Sequence, residues 1–305
     1  MMKNYLVFDI GGTAIKYAVV SEDAEILEKG SVPSPKRDAS REEFFDLLDS
    51  LQKPYEGRYA GIAVSAPGII DSVNGVIRVI GAFHCLRMCN VKEILEERFG
   101  VPASVENDGK CAALAEYWKG SLKGHENGAV VVIGTAVGGG LILDGKLRRG
   151  NDFFAGEFSC MCTNINEPDI SKSYWCELGT YGLLRRIAAR TGEPVESLSG
   201  KEAFRRINEG DADALAALKE YTDRLAMQIF SVNILLDLDL FCIGGGISVQ
   251  PKLIESLRQS ISEIPSYNPD FRAGTILPLP KAEVCRFGND ANLIGALYHL
   301  LYENA

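Results

Sequence analysis

The chain has 305 residues, 46% of them hydrophobic, with a formal net charge of -9 and a pI of about 5.1. That is enough apolar content for two domains at roughly 100–200 residues each, and an acidic surface argues against nucleic-acid and anionic-membrane partners. No charged-then-apolar leader and no apolar run near the ~18 residues that span a bilayer is visible, which predicts a soluble, cytoplasmic protein.

The first element is the stretch LVFDIGGTAIK at 6–16. Leu6, Val7 and Phe8 predict a buried strand with Asp9 at its end. Gly11-Gly12-Thr13 turns the chain tightly, and 14–20 runs back as a second strand. Glycines at such a turn let backbone N–H groups reach a ligand with no Cβ in the way, and a carboxylate beside it can hold a cation. This suits a phosphate-and-magnesium site; it suits an ordinary Gly-rich hairpin equally. Residues 25–29 predict a third strand, and Pro33 and Pro35 mark a loop. Ser40-Arg-Glu-Glu43 is a capping box ahead of a helix with Phe44, Leu47, Leu48 and Leu51 on one face. A strand at 59–64 leads into a hairpin at 68–79 around Asn74-Gly75. Residues 81–90 carry no readable pattern. Val91–Phe99 predicts a helix closed by Gly100. A short strand at 103–105 carries Glu106-Asn107-Asp108 at its end. The next helix places Cys111, Leu114, Ala115 and Trp118 on one face and stops at Gly120.

At 128 the chain starts again: a strand at 128–133, a Gly/Thr turn at 134–140, a strand at 141–143, a turn at Asp144-Gly145 and a strand at 146–149. The same order opens both halves, which predicts a duplicated domain with a cleft between the copies and a boundary near 121–127. Helices follow at 174–190, 203–208, 212–237 and 252–264. A strand at 238–243 runs into Gly244-Gly245-Gly246. Residues 274–280 read as irregular and 282–286 as an edge strand. Asn289-Asp290 caps a last helix that buries Leu293, Ile294, Leu297, Leu300 and Leu301.

Three glycine turns thus follow short apolar strands, an arrangement that points to one nucleotide held among them. None matches GxxxxGK[ST] or GxGxxG, which disfavours P-loop and dinucleotide folds. Asp108 stands at a helix start, where the macrodipole stabilises its charge. An ionised aspartate there can take a hydroxyl proton during phosphoryl transfer; it can equally be a plain N-cap. The eight cysteines are too sparse for a disulfide scaffold, and Cys160-Met-Cys162 lacks a second close pair for structural zinc.

With these pieces placed, the chain resembles the ROK family of the sugar-kinase, hsp70 and actin superfamily. The resemblance rests on DIGGTAIK at 9–16, APGIID at 66–71, ENDGKCAALAE at 106–116, GTAVGGGLILDGKLRRG at 134–150, AGE at 155–157, IGGGIS at 243–248 and NDANLIGAL at 289–297. It implies an α/β fold of two actin-like, ribonuclease H-like domains, 1–120 plus 290–305 and 121–289, with an ATP and sugar cleft between them. It also implies ATP-dependent transfer to a sugar hydroxyl, with Asp108 as catalytic base and Asn107 and Glu157 on the sugar. Gly11, Gly12, Thr13 and Lys16, with Gly134, Thr135, Gly138 and Gly139, match the phosphate-binding turns. Asp9 would act on magnesium, often through water, and Gly244, Gly245 and Gly246 would lie against the adenosine. A homodimer is the expected assembly.

The departures from the family pattern matter. Cys160 stands where GEIGH has a sugar- and zinc-contacting histidine, and the CxCGxxGC element is missing, so no zinc site is expected. Gly81-Ala-Phe-His-Cys85 replaces an Asn-Pro-Asn-like sugar loop. The second sugar glutamate aligns with Cys176 or, with a one-residue slip, Glu177. A pocket widened at Cys160, with Phe158, Met161 and Trp175 nearby in sequence, predicts a β-glucoside, a disaccharide or a modified hexose over free glucose. A repressor of this family carries an N-terminal DNA-binding domain, for which the position of Asp9 leaves no room. A degenerate binding protein is the other alternative.

Overall fold

The structure is a computed structural model. It describes residues 2–164, 166, 167, 169, 172, 174–267 and 278–303. The chain forms two compact units: Met1–Lys123, Leu147–Gly156 and Asn289–Ala305 make one, Gly124–Lys146 and Glu157–Gly288 the other. Residues 274–277 of the stretch read as irregular lie outside the described residues.

The strands of the first unit are β1 (Asn4–Ile10), β2 (Ala14–Ser21), β3 (Ile26–Pro33), β4 (Ile62–Ala66), β5 (Ile69–Asp71), β6 (Val76–Val79), β7 (Cys89–Asn90) and β8 (Ala103–Asn107). Its main sheet runs β3-β2-β1-β4-β8, and β5-β6-β7 form a smaller one. β1–β3 are an antiparallel meander, whereas β4 and β8 lie parallel to β1. Leu6, Val7, Phe8 and Ile10 are all buried, because a strand covered on both faces is apolar at successive positions. β3 extends beyond the sequence reading to Pro33. Proline is tolerated there because an edge strand leaves one row of N–H groups unpaired.

Helix α1 (Arg41–Gln52) starts with the expected box: Ser40 Oγ accepts from Glu43 N–H and Glu43 accepts from Ser40 N–H. It buries Phe44, Phe45 and Leu48, each burial stabilising by about 1.5–3 kcal/mol. α2 (Val91–Phe99) ends on Gly100 at φ 68°, a left-handed closure that suits glycine. α3 (Asp108–Lys119) follows β8 directly.

The second unit repeats the plan. β9 (Gly128–Ile133), β10 (Val137–Leu143), β11 (Lys146–Leu147), β12 (Leu240–Gly244) and β13 (Ala282–Val284) stand in the order β11-β10-β9-β12-β13. β9 and β10 are antiparallel, and β12 and β13 lie parallel to β9. Two sequence expectations change here. The turn after β9 spans only 134–136, and Gly138, Gly139 and Gly140 are strand residues paired with Val132, Val131 and Val130. Residues 174–190 are not one helix: a 3-10 turn (Trp175–Leu178) precedes α4 (Thr180–Thr191). They are separated at Gly179, where a Cβ would lie 2.2 Å from the Thr135 carbonyl oxygen.

α5 (Gly200–Glu209), α6 (Ala212–Leu236) and α7 (Pro251–Glu263) complete the second unit, and α8 (Ala291–Tyr302) belongs to the first. α8 packs on α3 so closely that a Cβ on Gly295 would stand 1.7 Å from the Cys111 carbonyl oxygen. Among the described residues no helix is long and apolar enough to cross a membrane.

Candidate active site

The end of β1 and the β1–β2 turn form one wall of the candidate site in the first unit. Asp9 is 5% exposed. Its Oδ1 accepts from Ser65 Oγ at 2.9 Å and from Asn292 Nδ2 at 3.1 Å, and Lys16 Nζ stands 3.4 Å from Oδ2. Lys16 also donates to the Asn289 carbonyl at 3.3 Å. A buried carboxylate needs such partners, since isolated burial of its charge is costly. Ser65 and Asn292 had no assigned role; their signals were the end of an apolar strand and the NDANLIGAL run. The Gly11 amide closes the turn onto Ala14 O at 3.0 Å, while Gly12 and Thr13 are exposed.

The second wall is the β8–α3 junction. Asn107, not Asp108, is the N-cap: its Oδ1 accepts from Lys110 N–H at 3.0 Å and its Nδ2 donates to Gly68 O at 2.9 Å. Asp108 is the first helical residue, and its Oδ1 accepts from Gly109 N–H at 2.8 Å. The capping alternative for Asp108 is therefore taken by its neighbour. Behind both, Cys111 is fully buried, and burial together with Glu106, Asp9 and Asp108 pushes its thiol well above the ordinary range. A buried thiol held protonated in this way is inert.

In the second unit, Gly134 N–H closes its turn onto Ala136 O at 2.9 Å, and Gly134 O accepts from Thr180 N–H at 2.9 Å. Gly139 is dictated by packing, since a Cβ there would stand 2.1 Å from Val130 O and 2.6 Å from the Phe158 ring. Gly138 and Gly246 face open space. Gly245 adopts φ 96°, and a Cβ on it would stand 2.1 Å from Ile133 O; Gly244 lies beside Cys285. Glu157 precedes a 3-10 turn (Phe158–Cys160) in which Cys160 N–H donates to Glu157 O at 3.1 Å, leaving Cys160 exposed.

A sequence profile of the ROK family, described as "ROK family", matches residues 5–302. The chain belongs to the ROK family. The β-glucoside kinase of Listeria monocytogenes is 33% identical over 301 residues, covering 97% of both chains. Among solved structures, a ROK family protein of Streptococcus pneumoniae in complex with sucrose shares 29% identity and a TM-score of 0.86, covering 98% of each chain. The ROK glucokinase of Streptomyces griseus in complex with glucose and AMPPNP shares 25% identity and a TM-score of 0.80 over 96% of this chain and 98% of that one. The fold of this ROK chain is accordingly the α/β, actin-like one of these sugar kinases.

Two features of the structure bear on its expected sugar pocket. Phe158 and Trp175 stack with centroids 5.0 Å apart and are 3% and 0% exposed, inside the core of the second unit. They pack in the apolar core of that unit. Glu177 is ion-paired with Arg186 at 3.2 Å and Arg224 at 3.7 Å, while the side chain of Cys176 lies outside the described residues. Among the described residues, no three His, Cys, Asp or Glu side chains are grouped to hold a metal.

Proposed function

We propose that this ROK protein is an ATP-dependent sugar kinase acting on a β-linked glucoside or disaccharide in preference to free glucose. The observation that carries the reading is Asp108 at the first position of α3, with the cap supplied by Asn107. An aspartate at a helix start, its charge stabilised by the macrodipole, is placed to take the proton of an attacking hydroxyl, the 6-OH of the sugar. Asn107, Glu157 and Cys160 are assigned to the sugar ring and its reducing end. The exposed turn at Gly12 and Thr13, with Gly11, Lys16, Gly134, Thr135, Gly138 and Gly139, is assigned to the phosphates, and Gly244, Gly245 and Gly246 to the adenosine.

Magnesium fits at Asp9. Its Oδ1 already accepts two hydrogen bonds, while among the described residues Oδ2 has only the long contact to Lys16, so a hydrated cation suits it better than direct ligation. The ion would neutralise charge on the transferring phosphate. Kinship supports assembly as a homodimer.

The preference for a glucoside rests on Cys160. A site that hydrogen-bonds a hydroxyl discriminates strongly, and replacing histidine by cysteine removes that discrimination. The relative named β-glucoside kinase and the relative holding sucrose support the same reading. The test is phosphorylation of glucose, fructose, mannose, N-acetylmannosamine, cellobiose and gentiobiose with ATP. Cellobiose or gentiobiose is expected to give the highest kcat/KM; glucose in first place overturns the preference, and no turnover with any sugar overturns the kinase.

A further inference from the structure

Glu106 is a buried acid with no role in the reading above. It is fully buried at the penultimate position of β8, directly before Asn107 and Asp108. Its Oε1 accepts from the Asn107 N–H at 2.8 Å, and its Oε2 accepts from Arg149 Nε at 2.7 Å. One carboxylate therefore joins the backbone of the site to a guanidinium 43 residues away in sequence.

Arg149 is itself held. Its Nη2 donates to Glu303 and lies 3.2 Å from His299 Nδ1, both at the C-terminal end of α8. Burial alone would lower the guanidinium pKa, but Glu106 and Glu303 outweigh it and raise it above the ordinary value. The charge is permanent and the fork is planar, so the direction in which Glu106 points is fixed. Arg149 also follows β11, where the predicted strand at 146–149 ends after Leu147. Leaving the sheet frees it for this contact.

We propose that Arg149 is a positioning residue for phosphoryl transfer: through Glu106 it fixes the Asn107 amide and so sets the start of α3 from which Asp108 projects. The proposal rests on the reading of Asp108 as the base. Displacing a group by about 1 Å from its productive geometry costs on the order of 100-fold in rate, whereas nucleotide binding at the β1–β2 turn does not depend on this contact.

The test compares Glu106→Gln, Arg149→Lys, Arg149→Met and the double variant Glu106→Gln/Arg149→Met with Asp108→Asn, on the best sugar of the panel. Glu106→Gln keeps an acceptor for Asn107 but turns an amide towards the guanidinium. Glu106→Gln and Arg149→Met are expected to lower kcat about 10- to 100-fold, with KM for ATP within about threefold of wild type. The double variant should be no worse than the worse single one, as for residues acting as a unit. Arg149→Lys, which keeps one charged donor, should recover part of the loss. Wild-type kcat in folded Glu106→Gln, equal rises in KM and falls in kcat, or multiplying losses in the double variant would each overturn the positioning role. If Asp108→Asn itself keeps full turnover, the base assignment fails first, which separates the two outcomes.

Discussion

Asn292 Nδ2 donates to Asp9 Oδ1 at 3.1 Å, so the last helix of the chain supports the carboxylate at the end of its first strand. Ser65 shares the same oxygen. Removing one donor leaves a buried carboxylate with one neutral partner fewer on that side.

Asn292→Ala should therefore cost about 1–3 kcal/mol of stability and raise KM for ATP more than KM for the sugar. Urea unfolding and steady-state kinetics read both. Unchanged ATP kinetics would detach Asp9 from the nucleotide site.

Asp108→Asn should keep the fold, because Asn107 provides the cap, and should still bind ATP. Its kcat should fall by ~10²–10⁴-fold, the usual worth of general-base assistance. Near wild-type turnover would remove Asp108 from the chemistry.

Protein purified without chelators should carry less than stoichiometric zinc. Cys160 and Cys162 are both exposed, and among the described residues no three His, Cys, Asp or Glu side chains are grouped to hold a metal, where a structural site needs four N/S ligands. Elemental analysis decides, and one zinc per chain would mean that these cysteines complete a site with other ligands.

Asp71 anchors the Asn74-Gly75 hairpin through Asn74 and Arg78, the latter at 2.6 Å. Burial alone would raise its pKa, but these partners outweigh it and hold the carboxyl below its ordinary value. A lowered folded-state pKa contributes stability above the unfolded-state value and loses it as pH falls through the folded-state one. Asp71→Asn should thus destabilise by about 1 kcal/mol at pH 7, with the gap to wild type closing as pH drops below the ordinary carboxylate range. A gap that stays constant into acid would show that charge is not what Asp71 contributes.

Interactions that close within a few residues were legible before any fold was known. The Ser40–Glu43 box, the Asn74-Gly75 turn and the Gly100 closure each depend on neighbouring backbone geometry, so residue type alone announces them. The doubled order of strands was legible for the same reason, as apolar runs punctuated by glycine. Which residue caps α3 was not, because Asn and Asp are equivalent in capping preference and only the register of β8 against β4, pairing Asn107 with Ala66, decides where the helix begins. The core packing of Phe158 and Trp175 was not legible either, because an aromatic near a motif in sequence carries no sign of which face it presents. Arg149, Ser65 and Asn292 were invisible as partners: a buried carboxylate announces that it needs donors, but the donors come from wherever the chain returns, and that is a property of tertiary packing.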